Sequence, residues 1–162
     1  MPTQRTILLK GRGIAKEGVA GGAITPGMLV ALNSSGKYIA HNAAGKATTP
    51  VFARENELAG KGINTAYALD DTVFVEAVGR GCEVYALVAA NAAAIVIGDK
   101  LVSDGAGGLK KATTPADVGA SFNQTAINNA VTAAAETILA IALEAVDNSA
   151  NASAARLTVE IV

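Results

Sequence analysis

The chain reads as an all-β protein: a small β-barrel or sandwich of two pseudo-repeated halves, with a short helix or ordered loop near residues 120–136 and an extended N-terminal arm. Three observations predict it. One turn-and-strand phrase is written twice, first as Gly27, Met28, Leu29, Val30, then Asn33, Ser34, Ser35, Gly36, then Lys46, Ala47, Thr48, Thr49, Pro50. Its second copy runs Gly98, Asp99, Lys100, Leu101, Val102, then Ser103, Asp104, Gly105, then Lys110, Lys111, Ala112, Thr113, Thr114, Pro115. The apolar runs are short and bounded by Gly, Asn, Asp and Pro, which is the punctuation of strands and turns. Finally, 51% of residues are apolar but only 4% are aromatic, with no Trp. A core of small side chains gains little energy per residue, so partners are expected to supply part of the stability.

Taken in order, residues 1–25 form the arm, and residues 26–162 form a single β domain whose repeats span about 26–90 and 97–162. The arm carries one apolar run, Ile7, Leu8 and Leu9, followed by Gly11, Gly13, Gly18, Gly21 and Gly22. Glycine at that density raises the entropy cost of ordering, so the arm is expected to be disordered or held from outside its own domain. After the turn at Thr25, Pro26 and Gly27, residues 28–32 and 37–40 make a hairpin about Asn33–Gly36 turn residues, and residues 51–55 a further strand. Residues 72–78 and 82–88, joined by Gly79, Arg80 and Gly81, are expected to pair as a second hairpin. In the second half, residues 101–103 and 109–111 repeat the first hairpin, residues 138–146 repeat the strand after the first Thr-Thr-Pro, and residues 157–162 close the chain. Within residues 116–137, Ile127, Val131 and Ala134 recur at helical spacing in an Ala-rich setting.

Composition excludes several functions. The net charge of −1 lacks the dense basic surface that nucleic-acid binding requires. Charge is nevertheless separated: residues 1–20 hold Arg5, Lys10, Arg12 and Lys16 against Glu17, while residues 112–162 hold Asp117, Glu136, Glu144, Asp147 and Glu160 against Arg156. Either a solvated surface with a basic tail, or head-to-tail charge complementarity between neighbouring copies or with an acidic partner, accounts for this. Cys82 stands alone, so no internal disulfide forms. No run of about 18 apolar residues suggests a membrane span, and the start lacks a secretion signal. A product made in a cytoplasm is expected, so the sequons at Asn33, Asn123 and Asn151 carry no weight.

No catalytic residue, cofactor site or metal site is assigned. His41 has no neighbouring Cys to share a metal and reads as a surface histidine. Cys82, inside a strand, reads as a small buried apolar residue. The pairs Asp70, Asp71 and Glu55, Glu57 lack calcium-loop spacing and read as turn-forming Asp and solvated Glu. Gly11, Gly13 and Gly18, like Gly60 and Gly62, are flexible connectors rather than phosphate cradles. The one interaction site expected is the arm, through Arg5, Ile7, Leu8, Leu9, Lys10 and Arg12. Its β-prone run can extend a neighbour's sheet while its positive charges choose an acidic surface.

The run Ala23, Ile24, Thr25, Pro26, Gly27, Met28, Leu29, Val30, the later Arg54, Glu55, Asn56, Glu57 with Gly60, Lys61, Gly62, Ile63, and the phrase from Gly98 to Gly105 together resemble tailed-bacteriophage capsid decoration proteins, also called cement or head-stabilisation proteins. The resemblance covers roughly residues 21–162 and rests on turn phrases. It implies a β-tulip or small-barrel fold, homo-oligomers that are often trimers, the major capsid protein as partner, a place on the outer face of the virion, and stabilisation of the expanded shell without enzymatic activity. Residues 116–137 depart from the plain repeat. Two other readings stand beside it: another phage structural component, such as a tail-tube or head-fibre protein that polymerises by itself, and a small enzyme or ligand-binding barrel with a deep polar pocket.

Overall fold

The computed structural model describes residues 4–114 and 124–162. It is mostly β, with 37% of residues in strands and 9% in helix. The chain begins with β1 (Leu8–Lys10), then builds a first unit from β2 (Gly13–Val19), β3 (Val30–Leu32), β4 (Tyr38–Ala40), β5 (Val51–Ala53) and β6 (Thr72–Val78). A second unit follows from β7 (Glu83–Val88), β8 (Lys100–Ser103), β9 (Leu109–Lys111), β10 (Ala140–Ala142) and β11 (Ala155–Ile161), with the helix α1 (Gln124–Ala134) between β9 and β10.

The second unit is a closed five-stranded barrel. Its strands bond in the order β7-β11-β10-β8-β9, and β9 returns to β7 through the parallel pair Val88↔Leu109. Leu101, Leu109, Ala140, Leu157 and Val159 fill it, each fully buried. The first unit traces the same circuit with thinner pairing. β2-β6-β5 forms one sheet, β3 and β4 form a hairpin, and the bridges Leu29↔Phe52 and Ala20↔Tyr38 join the two. Its own core holds Ile24, Val30, Tyr67, Val73 and Val75.

The repeat is therefore five strands long, β2 to β6 against β7 to β11, and the pairings match one for one. Val30↔Ala40 corresponds to Leu101↔Lys111, and Phe52↔Glu76 to Ile141↔Glu160. The parallel closure Ala20↔Tyr38 corresponds to Val88↔Leu109, and the bridge Ile24↔Tyr67 to Ile95↔Val146. The turns match too. Gly27 and Gly98 stand at φ +90 and +89, each in a turn closed by a backbone bond, Met28 N–H to Thr25 C=O and Asp99 N–H to Val96 C=O. That is the type II turn, whose third residue needs the positive φ that glycine adopts without strain. In the hairpin loops Asn33 Oδ1 accepts from Ser35 and Lys37 N–H, as Asp104 Oδ1 accepts from Ala106 and Gly108 N–H.

Several expectations change here. Residues 4–25 are extended, but they lie on their own domain: Ile7 is 1% exposed in the second core, β1 pairs with β7, and β2 pairs along its whole length with β6. The glycine-rich segment is ordered by strand edges within the same chain, so the boundary at residue 25 disappears, and the first repeat begins at β2. Residues 1–3 of the arm lie outside the described residues. The hairpin expected about Gly79–Gly81 does not form, because β6 pairs with β2 and β5 while β7 pairs with β1, β11 and β9. That segment instead links the two units. The written phrases stand one residue out of register: Val30 corresponds to Leu101, so the Leu29-Val30 and Leu101-Val102 pairs that the repeat invites one to align do not coincide. Residues 51–53 do match the strand at 140–142, as expected. The helix lies where a helix or loop was expected, in its second part; residues 115–123, which include Pro115 and Asn123, lie outside the described residues.

Candidate functional site

The joint between the two units gathers much of the molecule's buried polar chemistry. Pro26 fixes φ and Gly27 allows the positive φ of the turn, and the turn seats on the outer edge of β7, where Leu87 N–H donates to Gly27 C=O at 3.0 Å. A Cβ on Gly27 would stand 2.9 Å from the Tyr85 carbonyl oxygen, so the approach requires glycine. From β11, Arg156 donates Nη1–H to Pro26 C=O at 2.8 Å and Nη2–H to Ile63 C=O at 2.5 Å. Its guanidinium lies 5.8 Å from the centroid of the Tyr85 ring. Burial pulls the Arg156 pKa down, while Tyr85 and Glu55 pull it up. One arginine thus ties two first-unit carbonyls to the second unit.

A second set of bonds joins the hairpins. Leu29 N–H donates to Gly107 C=O at 2.8 Å, and Gly107 N–H donates to His41 C=O at 3.2 Å. His41 is buried, correcting its reading as a surface residue, and its Nδ1 lies 2.7 Å from Ser103 Oγ. Ser103 Oγ also accepts from Gly105 N–H at 3.1 Å, which leaves its own proton for Nδ1 of a neutral imidazole. Burial lowers the His41 pKa, with the Asp104 charge opposing. A serine beside a histidine invites comparison with a nucleophile and its base. Ser103 is 0% exposed, however, so no substrate atom reaches its hydroxyl. The pair holds the joint.

The expected arm residues divide by face. Arg5, Lys10 and Arg12 are exposed, Leu8 and Leu9 are half-buried, and Ile7 is buried. Glu55 locks this segment in place: its carboxylate accepts from Thr6 Oγ1–H at 2.6 Å and from Ile7 N–H at 3.0 Å. Ile7 C=O accepts from Tyr85 N–H at 2.8 Å, and Lys10 pairs with Glu83 at 2.8 Å. Glu55, expected to be solvated, is 4% exposed. The buried Glu76 faces Arg54, whose Nη1 lies 2.9 Å from a carboxylate oxygen as an ion pair without hydrogen-bond geometry.

Other candidates fall into structural roles. Asp70 pairs with Lys37, and Asp71 accepts from Ala68 N–H, both as turn residues. Cys82 is a buried free thiol. Gly60 takes φ +67 to cap the short 3-10 turn Glu57–Ala59. Among the described residues no three His, Cys, Asp or Glu side chains stand as a metal cluster, and no helix is long and apolar enough to cross a membrane. A shallow open groove of about 420 Å³ runs beside α1, where Asp99 pairs with Lys111 and Glu136 accepts from Thr113. Sequence reasoning missed Arg156, the His41 and Ser103 pair, and the burial of Glu55. The Thr25, Pro26, Gly27 turn and the Asp104 turn were the parts of the joint legible in the sequence.

Comparison with known proteins adds no assignment: a scan against family models finds no match, and a search of curated proteins finds none either.

Proposed function

We propose that the protein is a structural virion component that binds the outer surface of a phage capsid and cements adjacent major capsid protein subunits, stabilising the expanded head. It acts on the shell as a homo-oligomer, a trimer, with no enzymatic role. The observation that carries this reading is the division of labour among its side chains. Polar groups such as the half-buried Arg156 and the buried His41, Ser103 and Glu55 are engaged within the molecule, whereas large apolar side chains stand exposed on strands and turns. Ile14 is 67% exposed, Leu32 60%, Leu58 90% and Ile97 70%. Exposed apolar side chains of this size offer surface that a partner can cover. The resemblance to decoration proteins, carried by the duplicated turn phrases, supplies the partner.

The test uses expanded heads stripped of the protein. Adding it back raises the temperature at which the heads release their DNA. A release temperature that stays unchanged while the protein binds removes the stabilising role.

A further inference from the structure

The two units are joined head to tail, and each side of that joint has an equivalent in the other unit that meets no described residue in an equivalent contact. The first unit presents its Thr25, Pro26, Gly27 turn; the second receives it on β7 and on the β8–β9 loop. The equivalent presenting turn is Val96, Ile97 and Gly98. Pro26 is buried, whereas Ile97 is 70% and Val96 54% exposed. Gly27 lies against Arg156 and Tyr85, yet a Cβ on Gly98 would meet nothing within 4 Å.

The receiving side repeats this contrast. The outer edge of β7 is covered by β1 and by Gly27, through the N–H groups of Tyr85 and Leu87. In β2 the equivalent residues are Glu17 and Val19, placed by the matched pairings Lys16↔Val75 and Val84↔Val159. Alternation along an antiparallel strand turns their N–H groups away from β6, as the bond from Gly21 N–H to Tyr38 C=O on that same edge requires. Gly107, pressed against Met28 and Leu29, corresponds to Gly36, which meets nothing within 4 Å. Ser103, bonded to His41, corresponds to Leu32, and His41 to Ala112. A polar pair inside the joint thus becomes two apolar residues at the open faces. Val19, Leu32, Val96 and Ile97 are all among the exposed large apolar residues. Lys100 on one face and Glu17 on the other are exposed and of opposite charge.

We infer that these two faces bind each other between copies: the turn at Val96–Ile97–Gly98 of one molecule docks on the β2 edge and β3–β4 loop of the next. Gly98 C=O accepts from Val19 N–H as Gly27 C=O accepts from Leu87 N–H within the chain. The contact is heterologous, so it closes into a ring where the rotation allows and otherwise extends as a filament. The inference does not rest on the capsid reading, because the occupant is a second copy of this chain.

Two variants test it. Ile97→Asp disables the presenting face and Leu32→Asp the receiving face; both sites are exposed, and unchanged circular dichroism with a cooperative melting transition establishes that each variant folds. In sedimentation velocity the unaltered protein forms oligomers, each variant alone sediments as a monomer, and an equimolar mixture forms a heterodimer through the one intact pair of faces. A mixture that stays monomeric contradicts the heterologous contact. Oligomers that persist in either variant place the interface elsewhere, and an unaltered protein that is monomeric at its solubility limit overturns the inference. In that last case shell binding can still be measured, so the capsid reading stands or falls separately.

Discussion

Replacing Arg156 by Met keeps the aliphatic stem and removes the guanidinium that ties Pro26 and Ile63 to the second unit. Two hydrogen bonds from a charged donor are lost, each worth about 1.5–3 kcal/mol net, and both carbonyls lose their partner in a half-buried setting. The stacked position over Tyr85 adds about 0.5–1 kcal/mol at a partly exposed site. Against this stands the relief of desolvating a cation, the same effect that lowers its pKa. Taking the low end of each contribution gives a loss of about 3–4 kcal/mol. For a chain of this size each kcal/mol moves the melting temperature by about 2–4 °C, so a fall of about 6–16 °C is expected. Thermal and urea unfolding followed by circular dichroism measure it. Arg156→Lys, which offers one point charge in place of a planar fork, falls between. Arg80→Met, at an exposed arginine, stays within about 0.5 kcal/mol of the unaltered protein. A loss below about 1 kcal/mol for Arg156→Met would refute the view that this arginine clamps the joint.

Gly27 and Gly98 share one backbone conformation, but only Gly27 sits in the joint. Both Gly→Ala changes therefore cost about 1–2 kcal/mol for the positive φ, and Gly27→Ala costs measurably more in urea titrations because its Cβ meets the Tyr85 carbonyl. Equal losses contradict the close packing of Gly27 in the joint. Because burial holds the His41 pKa below its ordinary value near 6.5, the unfolded chain binds the proton first, and stability falls as pH drops below about 6.5. Above that pH the contribution is fully present; melting curves of His41→Gln lack this component, and an identical profile in both proteins rules it out. Glu55→Gln weakens the hold on Thr6 and Ile7 by about 1–2 kcal/mol. Hydrogen exchange then quickens at the Tyr85 amide, which bonds to Ile7 C=O. Unchanged exchange there shows that the N-terminal segment is held by packing alone.

The local parts of the fold were legible because turn chemistry is local. Asn33 with Gly36 marks the first hairpin by a side-chain acceptor and a positive φ, and Asp104 with Gly107 marks the second by the same devices. The register slipped by one because Leu29, Val30 and Leu101, Val102 spell the same dipeptide one residue out of step, whereas Gly27 with Gly98 and Gly36 with Gly107 mark the true offset. What could not be read locally was the pairing of distant strands. β2 finds β6 more than fifty residues away, and nothing in Gly13 to Val19 announces that partner, so glycine there suggested an unfolded arm. Gly79, Arg80 and Gly81 carry every local mark of a hairpin, yet both flanking strands are claimed by their own units. The joint was hidden for the same reason: His41 meets Ser103, and Arg156 meets Pro26, only after both units have closed.

The proposed cementing role is measured most directly by a count of copies bound to expanded shells of major capsid protein, made by co-sedimentation across a titration. A cementing protein saturates at a fixed ratio to capsid subunits, with no comparable retention on unexpanded shells. Failure to co-sediment at any concentration would contradict that role.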